Sequence, residues 1–154
     1  MASSKAGLKA LKFCQSHIGV HEQPNGSNRG PLIDKWNRDA VGIEGIAWCM
    51  SFQHAAFKSA GKTIGGWASV ERFIEWAKKN KYEVTGPAAG DLVCFDPDAN
   101  GWSDHVAIVE KRYGGTFPGG RFVGRLTTVG GNEGNAVRRQ TRWVKNARFA
   151  RIPD

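Results

Sequence analysis

Cysteine and histidine can form a nucleophile and base pair, and this chain of 154 residues holds only three cysteines and four histidines. Cys49 lies in the stretch GIAWCMSFQHAAFKSAG, near the start of a pattern that predicts a helix from Ala47 to Ala60. The free N–H groups and the dipole of a helix N-terminus stabilise negative charge, so they favour a thiolate. Cys49 is therefore the candidate nucleophile.

A thiolate nucleophile also needs a base, and His105 is the best placed histidine. It follows a Gly-rich loop and opens a predicted strand from His105 to Glu110. We expect it at the rim of a sheet, where a helix packed across the strand ends would bring Cys49 against it.

The imidazole in turn needs an acceptor that fixes its tautomer and its orientation. Asp104 precedes His105, but neighbouring residues on a strand point to opposite faces. Asn132, in TTVGGNEGN at the end of the next predicted strand, is the better candidate, and Glu133 is the second choice. Cys, His and Asn in this chain order match the roles of a papain-like triad.

The other cysteines and histidines fit structural roles better. Cys14 and Cys94 resemble small buried hydrophobic residues, and an odd number of cysteines excludes a complete disulfide framework in a monomer. A metal site built from Cys14, His17, His21 and Glu22 is disfavoured, because the first three drift around the helix and no second ligand cluster follows. We therefore predict no metal and no cofactor, and we interpret His54 as structural.

Two tryptophans flank the proposed site in sequence. Trp48 precedes Cys49, and Trp102 lies in the loop before His105. Each could line a substrate groove together with Asp104, or pack in the core as buried tryptophans do. Both interpretations stay open at the sequence level.

Helices come first in the chain and strands later. Apolar spacing predicts four helices: one within residues 3–18, one beginning at Pro31, the one that carries Cys49, and one capped by Ser69. After Gly86 the chain alternates between turns and apolar runs, which predicts strands at 91–95, 105–110, 125–129, 137–142 and 148–152. The order indicates an α+β fold in which N-terminal helices pack on a C-terminal antiparallel sheet.

Composition limits the classes of function. The net charge is +8, and much of the excess lies in AVRRQTRWVKNARFARIPD, which is either a solvated basic face or a surface for an anionic polymer. The longest apolar runs are too short to cross a membrane, so no membrane insertion is expected. The first residues lack the apolar region of a secretory signal, which predicts synthesis in the cytoplasm.

Four pieces of the sequence, in order, resemble the CHAP family, the cysteine, histidine-dependent amidohydrolases/peptidases of the papain-like superfamily. They are AWCMSFQHAAFKSAG, GDLVCF, DHVAIVEK and TTVGGNEGN. The segment IGVHEQPNGSNRGPLIDKWN is similar to the leader of a phage-associated branch of that family. The resemblance spans roughly residues 8–153, and it implies one catalytic domain over residues 1–154 with a papain-like fold.

The resemblance implies a hydrolase of bacterial peptidoglycan that cuts amide bonds in or next to the stem peptides, as antimicrobial phage endolysins do after release from the host cytoplasm. It assigns Cys49 as nucleophile, His105 as base and Asn132 as orienter. We expect a monomer. Many members carry a glutamate two residues before that asparagine, where this chain has Gly130. Some relatives bind calcium through an acidic loop before the cysteine, but NRDAVGIEGIAWC lacks that pattern, and we predict no calcium requirement.

Two other classes of function remain as alternatives. A nucleic-acid-binding domain would need aromatic residues interleaved with the basic ones or a recognisable helix motif, and neither is evident. A wall-binding module that lost its reaction would have no need of the complete set of Cys49, His105 and Asn132. We therefore expect an enzyme that binds peptidoglycan and not nucleic acid.

Overall fold

Four helices are followed by a six-stranded sheet in the computed structural model, which describes residues 3–154. The helices are α1 (Lys5–Ser16), α2 (Pro31–Val41), α3 (Cys49–Ser59) and α4 (Val70–Lys79). The strands are β1 (Glu83–Val84), β2 (Leu92–Phe95), β3 (His105–Arg112), β4 (Gly124–Gly130), β5 (Arg138–Val144) and β6 (Ala147–Ala150), with a short 3₁₀ turn at Pro118–Gly120. The predicted α+β class is confirmed.

Local sequence explains where these helices begin. The hydroxyl of Ser4 accepts from the N–H of Gly7 at α1, and the hydroxyl of Ser69 accepts from the N–H of Arg72 at α4, as expected for side-chain N-caps. Pro31 opens α2, where its missing N–H costs no hydrogen bond. By contrast, no side chain caps the N-terminus of α3.

The sheet is antiparallel throughout, in the order β1-β6-β2-β3-β4-β5. Strand β3 lies between β2 and β4, so the strand opened by His105 is interior to the sheet. Phe95 pairs with His105, and Val129 near the end of β4 pairs with Ile108. The predicted neighbour relation between the His105 strand and the strand leading to Asn132 is therefore confirmed.

Side chains alternate between two apolar layers. Val106 and Ile108 of β3 pack with the helices, whereas Ala107 and Val109 belong to a second cluster on the opposite face, together with Phe122. His105 has the parity of Ala107, so it lies on the face away from the helices, at the strand end where α3 begins.

Ion pairs within the chain engage much of the basic charge near the end of the sequence. The acceptors lie on helices, strands and loops, and the pairs are Arg139 with Glu110, Arg142 with Glu133, Arg148 with Glu71, Glu75 and Glu83, and Arg151 with Asp91. These four arginines are therefore paired within the chain, whereas Arg138 and Lys145 of the same segment are exposed and form no ion pair within the described residues. Within residues 3–154, none of the helices combines the length and the apolarity that crossing a membrane requires.

Candidate active site

Cys49 is the first residue of α3 and is 7% exposed. Because no side chain caps this helix, its first N–H groups remain directed at the region of the thiol. Trp48, immediately before it, is fully buried and donates its indole N–H to the buried carboxylate of Glu22 at 2.9 Å. This hydrogen bond in the core therefore fixes the position of Trp48 and, with it, the start of α3.

The loop after β4 packs tightly on the same helix start. A methyl group on Gly131 would lie 2.8 Å from the ring of Trp48 and 2.9 Å from Phe52, closer than such contacts normally come. Glycine at this position lets the loop that carries Asn132 and Glu133 approach the start of α3.

His105 opens β3 and interacts with groups from three directions. Its ring stacks on Phe95 with centroids 5.9 Å apart and planes 22° apart. Its Nε2 lies 3.6 Å from Oε1 of Glu133, a charge contact longer than a hydrogen bond, and the ring also interacts with the Cys49 thiol. Burial by itself would lower the pKa of His105, but Cys49 and Glu133 outweigh it and raise that pKa to about 9.

Glu133 is 5% exposed, in a turn where its N–H donates to the carbonyl of Ala136. Its carboxylate folds back over Gly130, and a methyl group at Gly130 would collide with Oε2. Arg142 of β5 donates Nη2 to Oε1. Burial opposes ionisation of this carboxyl group, yet His105 and Arg142 hold the pKa of Glu133 below its ordinary value.

Buried polar atoms without a hydrogen-bond partner are concentrated here. Of five such side-chain atoms in residues 3–154, three are Nε2 of His105, Oε2 of Glu133 and Nε of Arg142. A buried polar atom without a hydrogen-bond partner costs folding free energy, and such atoms are typical of sites that act on a ligand.

Asn132, predicted as the orienter, lies beside this cluster but outside its contacts. It is partly buried, its φ of 57° is left-handed, and within the described residues its side chain makes no hydrogen bond. The turn conformation directs the carboxylate of the next residue, Glu133, to the imidazole. The structure therefore brings together Cys49, His105 and Glu133, the residue predicted as second choice for the orienter.

The predicted groove residues separate into two kinds. Trp102 is 53% exposed and Asp104 is also exposed, so both can meet a large substrate. Trp48 has no exposed surface and supports the helix start as a core residue. A pocket of about 390 Å³ opens beside His105, lined also by Phe95, Arg142, Lys145 and their neighbours.

The remaining thiols and histidines have other environments. Cys14 and Cys94 are fully buried, and burial raises the pKa of both thiols far above the ordinary value. His17 stacks on Phe13 with centroids 4.1 Å apart, and Nδ1 of His21 lies 3.0 Å from the Glu22 carbonyl. Within residues 3–154, no three His, Cys, Asp or Glu side chains cluster as metal ligands, and independence from metal stays a prediction.

Phe95, Arg142 and Glu22 contribute to the site but were not predicted to do so. Phe95 was visible only as an apolar strand residue and Arg142 only as part of a basic segment. The pairing of Phe95 with His105 could have been anticipated from the antiparallel hairpin, because the residues that end and begin its strands face each other. Nothing local in the sequence connects Arg142 to Glu133.

A family model described as a CHAP domain matches residues 41–132, more than half of the chain. The matched segment begins at the last residue of α2 and contains Cys49 and His105. It ends at Asn132, so Glu133 and Arg142 lie beyond it. The chain finds no match among curated proteins and none among solved structures.

Proposed function

Because the chain belongs to the CHAP family of cysteine- and histidine-dependent amidohydrolases and peptidases, we propose that it is a peptidoglycan hydrolase. It cuts amide bonds in or next to the stem peptides, as the catalytic domain of a phage endolysin. The observation that carries the proposal is the imidazole of His105, which interacts with the thiol of Cys49 at an uncapped helix N-terminus and lies 3.6 Å from the carboxylate of Glu133.

The reaction begins with Cys49. Its thiolate attacks the carbonyl carbon of the scissile amide, and the carbonyl oxygen gains a negative charge. The backbone N–H of Cys49 is the first donor for this oxyanion, because it opens an uncapped helix. The dipole of α3 favours the thiolate before the attack and the oxyanion after it.

His105 moves the protons. In the proposed resting pair it carries the proton that the thiol has given up. As the tetrahedral intermediate collapses, it gives that proton to the leaving amine, and the carbon–nitrogen bond breaks to leave a thioester on Cys49. The neutral imidazole then takes a proton from water, whose oxygen attacks the thioester and releases the carboxylic acid and the thiolate.

We assign the orienting role to Glu133 rather than to Asn132. The carboxylate lies 3.6 Å from Nε2 of His105, which leaves the other ring nitrogen for the thiol and the leaving group. Phe95 restricts rotation of the ring by stacking on one face. Asn132 supplies the left-handed turn residue that lets Glu133 fold back over Gly130.

The proposal is tested with purified peptidoglycan and three variants. We expect Cys49→Ala to abolish the clearing of wall suspensions, since no other described cysteine is placed to attack a substrate. Cys94→Ala and Cys14→Ala are matched controls, because both thiols are fully buried and neither lies at the start of a helix, and both variants should keep lysis if folded.

Mass spectrometry of the released fragments identifies the bond. A new amine on a stem or cross-bridge residue indicates an endopeptidase, and a new amine on the first stem residue together with an unsubstituted sugar lactyl group indicates an amidase. Lysis by Cys49→Ala at the wild-type rate would refute the cysteine mechanism. Binding of wild-type protein to wall with no new termini would instead support the wall-binding alternative.

A further inference from the structure

Arg142 touches the proposed machinery at two points. Its Nη2 donates to Oε1 of Glu133, the same oxygen that lies 3.6 Å from Nε2 of His105. Its guanidinium lies 4.5 Å above the ring of Phe95, which in turn stacks on His105. One cation therefore contacts both groups that hold the imidazole.

The carboxylate of Glu133, between Arg142 and His105, has little conformational freedom. Glu133 is 5% exposed, its backbone is fixed in a turn, and its second oxygen lies against Gly130. Nη2 of Arg142 also donates to Oγ1 of Thr128 at 3.2 Å, which anchors the guanidinium on the sheet. The division of Oε1 between two cationic partners is therefore built into the fold.

We propose that Arg142 is a positioning residue that shares Oε1 of Glu133 with His105, so that Glu133 orients the imidazole without retaining its proton. This inference rests on the proposed function, since it concerns the acid that protonates the leaving amine. The segment that the family model matches ends before Glu133, so it includes neither Glu133 nor Arg142.

The chemistry of the leaving group explains why sharing is useful. An imidazolium held tightly by an unshared carboxylate would be a poor acid at the step where the amine departs. A fixed cation beside that carboxylate weakens its hold by Coulomb repulsion of the imidazolium and by competition for the oxygen. The charged groups around His105 are Cys49 from α3, Glu133 from the turn and Arg142 from β5, with Asp96 and Lys145 at the rim of the adjacent pocket.

The test is a titration of the His105 ring by NMR, with the ring signals assigned by their loss in His105→Gln. We expect Arg142→Gln to raise the midpoint by about half a pH unit or more, because a nearby positive charge and a competitor for Oε1 are both removed. Arg142→Lys, which keeps the charge but not the planar fork, should shift it in the same direction by less. The alkaline limb of wall lysis should move with the midpoint, and lysis near neutral pH should fall about three- to tenfold.

Arg139→Gln is the matched control, since Arg139 lies on the same strand and makes a comparable ion pair with Glu110, away from the site. It should leave the titration of His105 unchanged. An unchanged or lowered midpoint in Arg142→Gln, or an equal shift in Arg139→Gln, overturns the inference. If Arg142→Gln does not fold, the direction of the shift in Arg142→Lys decides.

Failure of this inference and failure of the proposed function give different results. If Cys49→Ala abolishes lysis while the titration is the same in wild type and Arg142→Gln, only the role of Arg142 is wrong. If Cys49→Ala still lyses wall, the proposed function is wrong whatever the titration shows.

Discussion

Replacing Glu133 by glutamine removes one charge from the site and keeps nearly the same shape. In the wild type, Cys49 and Glu133 together raise the pKa of His105 to about 9, against an ordinary value of about 6.5. That rise, which already includes the opposing effect of burial, corresponds to about 3 kcal/mol in favour of the imidazolium. If Glu133 supplies roughly half of it, Glu133→Gln should lower the midpoint of His105 by about one unit, opposite to the shift expected for Arg142→Gln.

The same variant should both slow wall lysis and lower the stability of the fold. We expect lysis to fall about 10- to 100-fold, because an amide still offers an oxygen to the ring but no longer stabilises its charge. Loss of the charged partner of Arg142 should cost about 1–3 kcal/mol of unfolding free energy, because the guanidinium, whose side chain is 27% exposed, keeps some hydration and can still donate to the amide oxygen.

Thermal unfolding measured against pH gives an independent readout with a definite sign. The folded pKa of His105 is raised, so its stabilising contribution is complete below the unfolded value of about 6.5 and is lost as the pH rises through about 9. The wild-type melting temperature should therefore decline across that interval, and Glu133→Gln should decline less. An unchanged midpoint and an unchanged pH dependence in Glu133→Gln would refute the assignment of Glu133. A larger loss of lysis in Asn132→Gly, which removes the amide but keeps the left-handed turn, would restore Asn132 as orienter.

Two further predictions concern glycine and metal. Gly130→Ala should displace the carboxylate of Glu133, because the new methyl group would meet Oε2, and we expect a clear loss of lysis. The control is Gly86→Ala, because Gly86 also lies outside the left-handed region and a methyl group there would make only ordinary contacts, so lysis should be kept. Wild-type lysis of Gly130→Ala would contradict the folded-back carboxylate. Treatment with a strong chelator should leave most lysis and the melting temperature intact, and a loss reversed by calcium or zinc would contradict the predicted metal independence.

The helices and main strands could be predicted because their signals are local. Ser69 caps α4 as expected, and the apolar runs after Gly86 became β2 and β3 within a few residues of their predicted bounds. Strand β1, Glu83–Val84, was missed, because two residues carry no alternation and the strand exists only through its pairing with β6. Its formation depends on a partner more than sixty positions away.

In the candidate site, too, local sequence signals predicted some residues, and contacts between distant segments determined the others. Cys49 and His105 lie at element boundaries that can be predicted from the sequence, so their types and positions sufficed to predict that they lie close together. The preference for Asn132 over Glu133 rested on chain order, which cannot show that a turn folds the carboxylate back over Gly130. The ion pair with Arg142 joins a turn to a strand and leaves no periodic signal.

The place of β6 in the sheet has a consequence for how the protein is made. Although β6 is the last strand in the chain, it lies between β1 and β2, and the side chain of Asp154 accepts from the N–H of Ala6 at the start of α1. During synthesis the sheet therefore cannot close until residues 147–150 have left the ribosome, and β2 meanwhile presents an unpaired edge. The nascent chain must therefore extend past residue 150 before this sheet is complete, so the native fold forms only after β1 to β5 have all been synthesised.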